Sequence, residues 1–115
     1  MTEQSFDREL KRGTLEMILL KLISVRQMYG YELVTAFNQR GGKFFQIKEG
    51  TLYPVLYRLE NAGYIEPHWE TLERGVPRKY YHMTESGQKQ LIKLTASWRG
   101  FSELIDRFLE IEETT

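Results

Sequence analysis

Apolar residues recur every three or four positions in four stretches of the chain, and this period predicts four α-helices. The helices are expected at about residues 6–26, 31–41, 49–62 and 85–111. Between the last two lie two short segments rich in aromatic and branched residues, which a polar loop with Gly75 and Pro77 separates. This pattern is typical of a β-hairpin over residues 64–70 and 78–84. The expected fold class is therefore mainly α with a small β-hairpin.

The last predicted helix carries the most regular apolar pattern of the chain. Its spacings alternate between three and four in a heptad seam that consists of Leu91, Leu94, Trp98, Phe101, Ile105 and Phe108. A helix of this length measures about 40 Å, which is too long for a compact body of about 13 Å radius of gyration to cover. We expect the seam to pair with the same helix of a second copy, with the first helix contributing. The alternative is that the seam packs on the chain's own first helix.

The order helix, helix, helix, hairpin, helix is that of a winged helix-turn-helix followed by a long dimerisation helix. In such folds the third helix enters the major groove of DNA. We therefore expect residues 1–84 to form a DNA-binding domain and residues 85–115 to form the C-terminal dimerisation helix. Winged helices also serve as protein-interaction modules, so the topology alone leaves that alternative open.

The outer side of the third helix carries side chains suited to DNA. Its core face is formed by Leu52, Val55, Leu56 and Leu59, and the other sides carry Lys48, Thr51, Tyr53, Pro54, Tyr57 and Arg58. Tyrosine hydroxyls and the arginine can meet phosphates or base edges, and the helix start favours phosphate through its free amides. The loop of the hairpin adds basic residues, and the segment before the second helix adds one tyrosine, which gives Arg74, Arg78, Lys79 and Tyr29 as further candidates.

The charge balance qualifies this interpretation. Sixteen basic residues face sixteen acidic ones, so the net charge is zero, whereas nucleic-acid binders usually have a basic excess. Residues 1–84 hold 12 Lys or Arg against 10 Asp or Glu, and residues 85–115 hold 4 against 6. The candidate cations nevertheless converge on one predicted face, so the balance does not exclude DNA binding. Because it limits non-specific affinity, we expect DNA binding that is modest and sensitive to salt.

Other classes of protein are disfavoured. There is no cysteine, no secretory signal pattern and no apolar run of about 20 residues, so we expect a cytoplasmic protein without a membrane partner. His68 and His82 stand on different strands near Glu66 and Glu70, and such a set lacks the clear ligand pattern of a metal site. No nucleophile motif or phosphate-binding loop occurs. We therefore expect neither an enzyme nor a cofactor.

Three ordered motifs resemble the PadR family of transcriptional regulators. They are MYGYELV at 28–34, EGTLYPVLYRLENAGYI at 49–65 and GVPRKYYHMTESG at 75–87. The resemblance implies a dimeric winged-helix repressor whose third helix, Tyr29 and wing contact DNA. It also implies the short subgroup with one C-terminal helix, and in some multidrug-binding members of that subgroup a tryptophan on this helix helps to form a flat pocket at the dimer interface. Trp98 stands at a similar place, where it would either line such a pocket for a planar aromatic molecule or only pack the dimer. Lys48 departs from the family, which more often has a small polar cap there.

The resulting hypothesis is a sequence-specific, dimeric repressor that binds the two half-sites of a promoter palindrome in double-stranded DNA. Its DNA binding would be modulated by a small aromatic ligand, in keeping with relatives that control phenolic-acid or multidrug-efflux genes. Two alternatives stay open. One is a winged-helix module that binds only proteins, and the other is a small-molecule binding protein centred on Trp98 at the dimer interface.

Overall fold

The structure, a computed structural model, describes residue 11 and residues 14–113 of the chain. Within these residues four named helices are combined with a small sheet, and the expected mainly α class with a hairpin is confirmed. The helices are α1 (Leu15–Val25), α2 (Gly30–Gly41), α3 (Glu49–Asn61) and α4 (Glu85–Leu109). The strands are β1 (Met28–Tyr29), β2 (Ile65–Glu70) and β3 (Arg78–Met83). The predicted start of the first helix near residue 6 lies outside the described residues.

The sheet has three antiparallel strands in the order β1-β3-β2. The hairpin was predicted, but β1 was not, since two residues are too few to show a strand period. Met28 pairs with Tyr81 and Tyr29 pairs with Tyr80, so β1 joins the start of α2 to the hairpin. One face of the sheet carries the buried Met28 and Tyr81, and the other carries Tyr29 and Tyr80.

The core lies where the three N-terminal helices meet the inner face of the sheet. Its fully buried side chains come from α1, α2, α3 and β2, and they are Leu19, Leu20, Leu33, Leu52, Leu56, Leu59 and Ile65. The predicted core face of the third helix is confirmed, because Leu52, Val55, Leu56 and Leu59 are all buried. The apolar side of α1 is buried at Leu15, Leu19, Leu20, Leu22 and Ile23, and Ile18 packs against this core.

The turn between α2 and α3 is held by defined contacts. Gly42 follows α2 with a φ of 56°, a conformation that glycine adopts without steric cost. The side chain of Asn38 then accepts a hydrogen bond from the Ile47 N–H at 2.8 Å and donates one to the Ile47 carbonyl at 3.1 Å. These bonds fix the angle at which α3 leaves the turn.

Helix α4 begins on the body of the protein and then leaves it. Leu91 is buried in the core and Leu94 packs against it, whereas Phe101 and Phe108 further along are 57% and 63% exposed. Twenty-five residues of helix measure about 37 Å, and the longest dimension of the molecule is 68 Å. None of the helices in the described part of the chain is long and apolar enough to cross a membrane.

Candidate nucleic-acid interface

The outer face of α3 is exposed along its whole length. Opposite the buried leucines lie Gly50, Pro54, Tyr57 and Asn61, all of which are exposed. The ring of Tyr57 is 66% accessible, although large aromatic side chains are usually covered. Pro54 stands inside the helix without ending it. This face therefore offers aromatic and compact side chains on a rigid element.

The start of α3 points two further predicted residues toward solvent. Lys48 precedes the helix in an extended conformation, and its side chain makes no capping hydrogen bond. Thr51 in the first turn is exposed. The first N–H groups of a helix have no partner within it, so this end of α3 is a favourable place for a phosphate.

Tyr53 lies on the flank of α3 that faces the start of α2. Its ring is 47% exposed, and its hydroxyl lies so close to Gly30 that a Cβ on that residue would overlap it. Gly30 is buried, so it allows the tyrosine to cross the N-terminus of α2. Sequence analysis missed this role. The available signal was a glycine between two tyrosines at a helix start, where no turn requires one.

Tyr29, Tyr80 and Arg78 form a second cluster on the outer face of the sheet. The Tyr29 ring meets the Tyr80 ring edge-on at a centroid distance of 5.3 Å. The guanidinium carbon of Arg78 lies 4.6 Å from the centre of the Tyr29 ring, within the range of a cation–π contact. The Tyr29 N–H donates to the Glu32 carboxylate at 3.3 Å and closes the first turn of α2. Tyr29 and Arg78 are separated by 49 positions in the sequence, and the fold brings them together.

Two of the predicted DNA-binding cations are paired with carboxylates. Arg58 Nε lies 3.3 Å from Glu16 Oε1, and both side chains are well exposed, so the pair is weak and open to exchange. Lys79 Nζ lies 3.2 Å from Glu60 Oε1 in a more enclosed setting, where the two side chains are 32% and 28% accessible. Sequence analysis missed both carboxylates, because each belongs to a different element from its cation.

The environment of Lys79 changes its titration. Burial alone would lower the pKa of Lys79, but the hydrogen bond and charge of Glu60, together with the interaction with Tyr81, outweigh it, so the pKa is raised. For Tyr81, which lies beside Lys79, burial has the opposite effect and raises the pKa, because it disfavours the charged phenolate. The nearby ammonium only partly offsets this effect. Both side chains therefore stay protonated throughout the neutral range.

The wing tip connects β2 and β3 over residues 71–77. Arg74 is exposed there, and Gly75 has a φ of 93°, which favours glycine. The tip therefore presents an exposed cation. On the outer face of the hairpin, His82 lies 3.2 Å from Glu66, and His68 lies 3.9 Å from Glu70. Within residues 14–113, no group of three His, Asp or Glu side chains is arranged to hold a metal ion.

The predicted seam of α4 is divided between the body and solvent. Leu91 belongs to the chain's own core and Leu94 is half-buried against it. Beyond them Trp98 is 45% exposed and Ile105 is 39% exposed. The exposed part of the seam is thus a continuous apolar stripe made of Trp98, Phe101, Leu104, Ile105 and Phe108. The expectation that the seam pairs with a second copy stays a prediction.

Comparison with known proteins identifies this arrangement. The family model of the transcriptional regulator PadR-like family matches residues 19–93, well over half of the chain. A solved PadR family transcriptional regulator from Eggerthella lenta is 34% identical, with a TM-score of 0.86 over 95% of this chain and 93% of that one.

Two sequence relatives extend the comparison. An uncharacterized protein of Lysinibacillus sphaericus is 40% identical over 89% of this chain and 94% of its own length. The negative transcriptional regulator PadR of Bacillus subtilis is 27% identical over 67% of this chain and 42% of its own length. The chain therefore belongs to the PadR-like family of transcriptional regulators.

Proposed function

We propose that this protein is a dimeric, sequence-specific DNA-binding repressor. The observation that carries the proposal is the exposed outer face of α3, where Pro54 and Tyr57 are accessible on a rigid helix. Around it the fold assembles Tyr29 and Arg78 on the outer face of the sheet and Arg74 at the wing tip. A helix of this kind reads base edges in the major groove, and the flanking cations bind phosphates.

Individual roles follow from position. Tyr53 and Tyr57 offer hydroxyls to phosphates or rings to thymine methyl groups, and Arg58 can exchange its exposed carboxylate for a phosphate. Lys48 and Thr51 stand at the helix start, where backbone amides attract a phosphate. No enzymatic step is part of this function, and the partner is double-stranded DNA in the cytoplasm.

A second copy of the chain completes the proposed regulator. The stripe from Trp98 to Phe108 on α4 is too apolar to be left in water, and pairing two such helices would cover it. A twofold dimer would then place two α3 helices on two half-sites of a palindrome. The name of the Bacillus subtilis relative, a negative regulator, supports repression.

A small aromatic ligand is the proposed signal. Trp98 is half-exposed on the stripe that would face the second copy, and its indole could stack on a planar molecule held there. Such a ligand changes DNA binding only if it prefers one arrangement of the two copies over the other. Fluorescence tests this part separately. We expect planar aromatics to quench the tryptophan emission of the parent, and the same quenching in Trp98→Phe would contradict a pocket at Trp98.

The central test is DNA binding on promoter fragments across a salt series. We expect preference for one palindromic site and a linear fall of log affinity with log salt. Equal binding to all sequences at every salt concentration would contradict the proposal. A protein partner captured through α3, with no DNA binding in the parent, would favour the protein-interaction module instead.

A further inference from the structure

The ammonium group of Lys79 is enclosed by contacts within the protein. It lies 3.2 Å from Glu60 Oε1 on the last turns of α3. It also lies 5.3 Å from the centre of the Tyr81 ring and 5.9 Å from the centre of the Trp69 ring. One carboxylate and two aromatic faces thus compete with any phosphate for this cation, and its raised pKa reflects its interactions with both Glu60 and Tyr81.

Arg58 provides the contrast. Its partner Glu16 is 41% accessible and Arg58 itself is 60% accessible, so water screens that pair and a phosphate can replace it. Both side chains of the Glu60–Lys79 pair are less accessible than those of the Arg58–Glu16 pair. If Lys79 left the pair to bind a phosphate, the partly buried carboxylate of Glu60 would remain without its cation. The two cations, which look equivalent in the sequence, therefore differ in their availability to DNA.

Trp69 is the exposed member of this cluster. It stands directly opposite Lys79 in the hairpin register, on the inner face of the wing that is turned toward α3. The indole is 60% accessible, an unusual exposure for the largest apolar side chain. It is the aromatic residue nearest to the wing tip in β2, and Lys79 covers only part of its ring.

We infer that Lys79 is a positioning residue and that Trp69 is a DNA contact of the wing. The Glu60–Lys79 pair braces β3 against the end of α3 and holds the indole between wing and helix. There Trp69 packs on the sugar-phosphate backbone, and its ring N–H donates to a phosphate oxygen. This inference rests on the proposed DNA binding, and it replaces the expectation that Lys79 itself contacts phosphate.

The salt dependence of DNA binding distinguishes two roles for Lys79, which either pairs with Glu60 and positions the wing or binds a phosphate directly. A cation that neutralises one phosphate of duplex DNA contributes about 0.9 to the slope of log affinity against log salt. We expect Lys79→Met to weaken binding with the slope unchanged, and Arg74→Met to reduce the slope by about 0.9. A reduction of the same size in Lys79→Met would show that Lys79 binds a phosphate and would overturn the assignment.

A charge exchange tests the pair directly. A glutamate at position 79 repels phosphate whether or not Lys79 contacts DNA in the parent. Lys79→Glu alone should therefore bind DNA poorly. Combining Lys79→Glu with Glu60→Lys restores an ion pair between wing and helix, and we expect it to recover much of the affinity. If the double variant binds no better than Lys79→Glu, the brace is refuted. Glu66→Lys, which makes the same charge change at a residue paired with His82, is the control and should not rescue Lys79→Glu.

Fluorescence tests the position of the indole. The chain has two tryptophans, so Trp98→Phe leaves Trp69 as the only reporter. We expect its emission to change on saturation with duplex DNA, and Trp69→Ala to weaken binding about tenfold, equivalent to about 1.4 kcal/mol. Circular dichroism and sedimentation verify that each variant is folded and associated as the parent is. If Trp98→Phe does not fold, labelling the parent with fluorotryptophan and assigning the signals with Trp69→Phe gives the same readout.

The outcomes distinguish the proposed function from the role of Trp69. Failure of the parent to bind any DNA would overturn the proposed function and this inference with it. DNA binding by the parent with an unchanged Trp69 signal and undiminished affinity in Trp69→Ala would overturn the inference alone.

Discussion

At the scale of single residues, two glycines sit where a side chain would meet another part of the protein. A Cβ at Gly30 would overlap the hydroxyl at the far end of the Tyr53 side chain, which can rotate away. A Cβ at Gly87 would overlap the backbone carbonyl of Tyr64, which has no such freedom. The same substitution therefore has different consequences at the two positions.

We expect Gly30→Ala to weaken DNA binding while changing the free energy of unfolding little, because it displaces Tyr53 on the proposed reading face. Gly87→Ala should instead destabilise the fold by about 1–3 kcal/mol, the usual cost of forcing an extra group into a packed site. Urea denaturation and DNA titration of both variants measure the two effects. A Gly30→Ala variant that binds like the parent would show that Tyr53 has no part in binding.

At the scale of elements, the junction of α3, the hairpin and α4 depends on one threonine. The Thr84 hydroxyl accepts a hydrogen bond from the Gly87 N–H at 3.0 Å, which caps α4. The same hydroxyl donates to the Gly63 carbonyl at 2.6 Å, just beyond the end of α3. Thr84 therefore links the start of the long helix to the end of the proposed recognition helix.

Thr84→Ala should lower the free energy of unfolding by about 1 kcal/mol, the typical cost of removing an N-cap. Thr84→Ser keeps the hydroxyl and should retain most of that stability. Chemical denaturation monitored by circular dichroism measures both variants. Equal destabilisation of the two would mean that the methyl group, and not the hydrogen bonds, is what matters.

At the scale of the whole molecule, α4 carries its apolar stripe away from the body. Leu91 anchors the helix in the core, whereas Trp98 and Phe101 beyond it are 45% and 57% exposed. An exposed aromatic stripe on a projecting helix is typical of an interface. The proposed dimer therefore separates two tasks, since the first turns of α4 hold the chain together and the rest would hold two chains together.

A charged residue on the stripe should separate the copies without unfolding them. Phe101 is 57% exposed, so Phe101→Glu should leave the fold intact, give a monomer in sedimentation and weaken binding to a palindrome. Ile92 is similarly exposed but lies about 100° around the helix from Leu91, off the seam. Ile92→Glu is the matched control and should remain associated. A parent protein that sediments as a monomer at micromolar concentration would refute the paired-helix proposal.

The sequence by itself determined the elements and the family. Helical periods and strand composition are local properties, so the four helices, the hairpin and the buried face of α3 could be predicted from residues a few positions apart. The motif around Thr51 and Pro54 indicated the PadR family for the same reason, because it is one continuous segment. The outer face of α3 followed directly from its core face.

Only the tertiary structure decided which side chains meet across elements. The strand β1 exists because Met28 and Tyr29 find partners on β3, not because of any pattern in two residues. The contacts of Glu60 with Lys79, and of Gly30 with Tyr53, join residues that are distant in the sequence and belong to different elements. Periodicity carries no information about such pairs, since they depend on how packed elements are oriented. The cations near the proposed DNA face could therefore be predicted from the sequence, and the fold showed that Lys79 is already paired with Glu60.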